Sequence, residues 1–224
     1  MRDLGALALD EIKTIFQKIN ATSYSLNAME IRNARYDGAL KRFAENEAQS
    51  SFFEENRVFS TNEIKRMQDV LFVLYIIATM LGGYFHRDDR IEEYLTRYND
   101  EFPDQKEIEY KLDWIKEFIG DAGFESKSRV WKKADLFTVF VELERVVFQE
   151  GRRLRAVHVK ERLDEFFSRV GQADISDADL KDPLHDASVS VATYAKAALQ
   201  GTNDRGSRIA RGKIMREVLR GKEE

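Results

Sequence analysis

Twelve consecutive residues, Val70 to Leu81 (VLFVLYIIATML), carry no charged side chain, and Gly82-Gly83 closes the run. A membrane span needs about 20 apolar residues, so the run is too short to cross a bilayer. It is also too uniformly apolar to lie on a surface. Such a segment must be covered by protein on several sides, and it predicts a buried helix at the centre of a bundle.

The rest of the chain follows the same period. Leu9, Ile12, Ile15, Phe16 and Ile19 fall on one face of a first helix. Asn27-Ala-Met-Glu30 has the spacing of a capping box and predicts a second helix to about Glu47. Ser60-Thr-Asn-Glu63 repeats that spacing and predicts the start of the apolar helix. A short helix is expected over 88–98. Pro103 breaks the chain, and a stripe through Ile108, Leu112, Ile115 and Ile119 follows, with Gly120 as its stop. Two apolar stripes between Ser128 and Glu150 predict one long helix ended by Gly151. Val159, Leu163, Phe166, Phe167 and Val170 carry the next helix to Gly171. Asp182-Pro183 is expected to open a helix running to about Gln200. GTNDRGSR reads as a loop before a last helix over Ile209 to Leu219. There is no two-residue alternation, and 224 residues contain only 2 Pro. The expected fold is an all-α bundle of about eight to nine helices.

The absence of Cys removes disulfides and thiolate metal sites. The opening MRDLGALALDEIK lacks the layout of a secretory leader, so a cytoplasmic setting without a membrane partner is expected. The net charge of -4 hides segregation: Asp88–Glu125 has 13 acidic and 5 basic residues, and Ser126–Lys222 has 20 basic and 14 acidic. The second half could therefore face a polyanion.

The chain has no phosphate-cradling Gly-rich loop and no dinucleotide fingerprint. His86, His158 and His185 are too far apart to suggest a ligand set. The sequence nominates no catalytic residue, no cofactor and no metal site of its own. Asp88, Asp89, Glu92 and Glu93 form an acidic helix start. A hard-cation enzyme site there is the alternative reading to a solvated acidic turn. The basic segments point elsewhere. Phosphate contacts need clustered cations. The candidates are Lys127, Arg129, Lys132 and Lys133 around Trp131, Arg152 and Arg153, and Arg205, Arg208, Arg211 and Lys213 at the last helix start. Trp131 itself is expected to pack rather than to stack on bases.

The stretch IFQKINATSYSLNAMEIRNARYDGALKRFA resembles domain-of-unknown-function family 262, the ParB/sulfiredoxin-like domain of GmrSD-type modification-dependent restriction systems. The matching positions are Ile15, Phe16, Ile19, Asn20, Leu26, Asn27, Glu30, Ile31, Arg32, Asn33 and Ala34. KKADLFTVFVEL and GTNDRGSRIARGKIMREVL are similar to the helical half of its members. The family's Asp-Gly-Gln-Gln-Arg hallmark is missing here: Asp37-Gly38 is followed by Ala39-Leu40. The resemblance implies a remnant of the ParB-like domain over 1–50 and a helical domain over 51–224. It implies a non-catalytic portion of a DNA-targeting phage-defence nuclease/NTPase, with DNA and either the missing N-terminal half or a second copy as partners. A structural remnant of a truncated gene is the further alternative. The first two helices would then offer an apolar face to that partner.

Overall fold

A computed structural model describes residues 26–221 apart from Asp177 and His185, and of Val189 the backbone alone. The expected first helix, with Ile15, Phe16, Ile19 and Asn20, lies outside the described residues, as does His185. Within them the all-α reading holds. Eleven α-helices follow one another: α1 Ala28–Arg35, α2 Ala39–Ala48, α3 Ser51–Glu55, α4 Thr61–Lys65, α5 Gln68–Gly82, α6 Ile91–Arg97, α7 Gln105–Ala122, α8 Lys133–Glu144, α9 Ala156–Val170, α10 Ala187–Leu199 and α11 Arg205–Arg220. A 3-10 turn (Arg129–Trp131) precedes α8 and a π turn (Arg145–Gln149) follows it.

The centre of the bundle is α8 rather than the apolar run. Asp135 to Glu144 are buried without interruption, and α8 packs against α5, α7 and α11. Helix α5 buries Val70, Val73, Ile76 and Ile77 but leaves Leu71, Tyr75 and Met80 half-covered. Helix α8 is buried despite Asp135, Glu142 and Glu144 because each carboxylate meets a cation from outside the helix: Arg129 at 2.9 Å, Arg216 at 2.7 Å and Lys111 at 3.0 Å. A buried charge is tolerated only when paired in this way.

Several expected helices are interrupted. The long helix over 128–150 is three segments, because Lys132 takes an extended backbone and the last turn widens to π geometry. That widened turn returns Arg145 to Glu142 (2.7 Å) and Gln149 to Glu144 (2.8 Å). The Ser60 capping box is present, but it opens the five-residue α4. Met67 then adopts φ 54°, and α5 starts afresh. The Asn27 capping box also forms (2.9 and 2.6 Å), and its helix ends at Arg35 instead of Glu47. There Gly38 lies against Asn99 so closely that a Cβ would sit 2.5 Å from the Asn99 Cα. The free N–H groups of Ala39 and Leu40 donate to the carbonyls of Asn99 and Tyr98, beyond the end of α6. Helix α7 runs past Gly120 to Ala122 and stops at Gly123 in the left-handed region. Helix α10 starts at Ala187, after Asp182-Pro183 has made a turn, and α11 starts four residues before Ile209.

The boundary expected at residue 50 does not separate two cores. Met29, Leu40 and Phe43 belong to the same apolar cluster as Phe140, Leu163 and Met215. The described part of the face expected to await a partner turns largely inward. Ile31 is the large apolar residue of α1 left exposed. Among the described residues no helix is long and apolar enough to cross a membrane.

Candidate nucleic-acid interface

Helix α11 (RGSRIARGKIMREVLR) looks in sequence like a basic surface helix, but the fold makes it an inner one. Ala210, Ile214, Met215 and Leu219 are buried against α8, α9 and α10. This overturns the assignment of Arg208 and Arg211 as polyanion contacts, since both are 1% exposed. Arg208 Nη1 donates to the carbonyls of Phe85 (3.0 Å) and Arg87 (3.1 Å), and the guanidinium lies over the rings of Tyr75, Phe85 and Phe137. Arg211 donates to Thr138 Oγ1 (3.1 Å) and to the carbonyls of Ala197 (2.5 Å) and Thr202 (2.9 Å). Burial pushes both guanidiniums below their ordinary value, Arg208 to about 10.

The rest of the helix pairs with acids, one buried and two exposed. Glu142 accepts from the Tyr84 hydroxyl (2.6 Å), Arg145 (2.7 Å) and Arg216 (2.7 Å). Burial, and then the charge of Glu142, hold the Tyr84 phenol well above its ordinary value, so it stays a donor. Arg220 grips Glu150 with two bonds (2.6 and 3.0 Å) and Glu217 with a third (2.6 Å). The hydrogen bonds from Arg220 outweigh burial and keep the Glu150 carboxyl below its usual range.

The other candidate cations are scattered. Arg129 pairs with Asp135 and Lys133 with Glu63. Lys127 and Arg129 line a hollow of about 300 Å³ with Glu125 and Asp164, which oppose them. Lys132, Arg153, Arg205 and Lys213 are exposed on three different segments, the last two both on α11. Trp131 packs between Phe52 and Phe124 and donates to the Glu125 carbonyl at 3.0 Å, as expected of a packing residue.

Arg152 lies on a cation-rich cleft among the described residues. This cleft, about 650 Å³, runs between α9 (Arg162, Phe166, Arg169) and the end of α11 (Arg220). Arg162 donates to the carbonyls of Val218 (3.0 Å) and Leu219 (2.7 Å), which the end of a helix leaves without partners. Arg169 is exposed and reaches the Ala187 carbonyl at 3.4 Å. Among the described residues, neither Arg162 nor Arg169 has a carboxylate within ion-pair distance. Composition alone missed Arg162, Arg169 and Arg220. A signal was available: Arg162 and Arg169 are seven residues apart, which keeps them on one helical face with a drift of about 20°, and Arg155 at the cap of α9 continues the spacing in sequence.

The motif of the resemblance ties elements together. Asn27 caps α1, and its Nδ2 donates to the Arg66 carbonyl at 2.9 Å, at the break between α4 and α5. Glu30 pairs with Arg66 at 3.1 Å and Arg32 with Asp88 at 2.6 Å, whereas Asn33 is exposed. Three of the four carboxylates of the acidic turn are held in ion pairs. Asp88 meets Arg32, Glu92 meets Arg35, and Glu93 meets Arg90. Among the described residues no three His or carboxylate groups gather as a metal-binding set. Asp204 begins α11 without a side-chain cap and instead faces Arg87 (3.3 Å) and His86 (3.6 Å).

No protein-family model matches this chain, and neither does any curated protein or any solved structure.

Proposed function

We propose that the chain is a non-catalytic helical module that contacts DNA phosphates through the arginine-rimmed cleft between α9 and α11. The observation that carries the reading is the cleft itself. Four guanidiniums (Arg152, Arg162, Arg169, Arg220) line it against Glu165 and Glu217. A planar guanidinium suits phosphate better than an ammonium does. The phage-defence setting, and a nuclease/NTPase half as partner, rest on the resemblance of the stretch from Ile15 to Ala34 and of the KKADLFTVFVEL and GTNDRGSRIARGKIMREVL segments.

Fluorescence anisotropy with a labelled duplex tests the contact. Three arginine–phosphate contacts give a log–log salt slope of about -2.7, or roughly forty-fold weaker binding between ~50 and ~200 mM salt. Replacing Arg152 and Arg169 together by Ala should reduce the slope by about 1.8. Binding that ignores salt, or a slope unchanged in the double variant, sinks the proposal.

A further inference from the structure

A second cavity is bordered by the buried Arg211. It measures about 240 Å³ and is walled by Leu71, Phe72 and Tyr75 of α5 and by Ala134 and Phe137 of α8. The α10–α11 loop closes it through Thr202 and Asn203, and Arg211 reaches it from α11. Glu63 and Lys133 form an ion pair at its edge and cancel one another.

The charge balance around this cavity is uneven. Arg208 and Arg211 are buried on successive turns of α11, and the bonds they make go to neutral acceptors. Asp88 and Asp135 act on them through space, but each is already paired, with Arg32 and Arg129. Four guanidiniums thus share two carboxylates. Arg208 Nε is buried with no hydrogen-bond partner. Of the five N–H donors on a guanidinium, Arg211 spends three on protein acceptors. Buried charge normally needs a counter-charge to be tolerated. The flat aromatic walls define what else the occupant must carry.

We infer that this cavity binds a small aromatic carboxylate, its ring between Phe72, Tyr75 and Phe137 and its anionic end toward Arg211. The volume is below the ~300–1,000 Å³ of drug-sized sites, which limits the ligand to a single ring with a short acidic arm. Arg208, behind Tyr75 and Phe137, adds to the positive potential without touching the ligand.

Benzoate is the minimal probe, titrated calorimetrically into the full chain with benzamide as the uncharged control. The expected result is saturable benzoate binding with Kd below about 1 mM, at least ~10-fold tighter than benzamide. Arg211→Ala would confound folding with binding, so the cavity is filled instead. Ala134→Phe and, separately, Leu71→Trp should abolish binding while the far-ultraviolet circular dichroism and melting temperature stay near those of the parent. Arg169→Ala, in the α9–α11 cleft, should leave benzoate binding unchanged, which separates this site from the DNA contact. The inference is overturned if benzoate does not bind or binds no better than benzamide. Retained binding in the folded, cavity-filled variants overturns it equally.

Discussion

Glycine in the middle of a helix is usually a weakness, and replacing it with alanine gains up to about 1 kcal/mol. Two helical glycines of this protein are predicted to respond with opposite signs. Gly120, inside α7, has nothing within 4 Å of the position a Cβ would take. Gly120→Ala should therefore stabilise by up to ~1 kcal/mol, raising Tm by roughly 2–4 °C for a chain of this size. Gly212, inside α11, is buried where α11 crosses α8. A Cβ there would sit 2.5 Å from Glu142 Oε1 and overlap the Tyr84 hydroxyl. Those two atoms are joined by a 2.6 Å hydrogen bond at a fully buried carboxylate. Gly212→Ala gains the same ~1 kcal/mol of propensity. Against it stand overpacking at ~1–3 kcal/mol and loss of a hydrogen bond to a charged group at ~1.5–3 kcal/mol. The net is a destabilisation of about 2–4 kcal/mol, or a Tm lowered by roughly 5–15 °C. Urea unfolding of the parent and both variants measures this, with equal m-values showing that stability alone has changed. A Gly212→Ala protein as stable as the parent would refute the packing of α11 on Tyr84 and Glu142 derived above.

Two further outcomes follow from the ion pairs. Glu142→Gln leaves Arg145 and Arg216 facing a neutral amide in a buried site, and the loss in urea unfolding should be about 3–5 kcal/mol; a loss below ~1 kcal/mol would show that the network tolerates an uncompensated cation. Burial acts to raise the Glu63 carboxyl, but the hydrogen bonds from Lys133 and Ser60 prevail and hold it at about 2, down from an ordinary 4.5. Its folded value is depressed, so its contribution is complete above about pH 4.5 and disappears as pH falls toward about 2. The stability difference between the parent and Lys133→Met should shrink across that window, and a difference independent of pH would exclude the pairing.

The helical class was legible from Leu112, Ile115 and Ile119 or from Val159, Leu163 and Phe166, because a 3.6-residue period survives whatever the helices later pack against. The capping boxes at Asn27 and Ser60 were legible for the same reason, since each is completed within four residues. Helix lengths were less legible. The breaks at Gly38 and Met67 depend on Asn99 and on Asn27, which are distant in sequence.

The sequence by itself determined that the chain is all helical, that α11 is basic and that α8 is apolar on two sides. Only the tertiary structure decided where those charges go. Packing α11 against α8 turns Arg208 and Arg211 inward onto neutral acceptors and sets Arg216 on Glu142, so much of the segment that composition marks as a polyanion surface is taken up inside the fold. Charge counts are sums over residues and carry no direction. Only the crossing of two helices fixes which side of α11 meets water, and here Arg205 and Lys213 face outward while Arg220 joins Arg162 and Arg169 of α9 at the cleft.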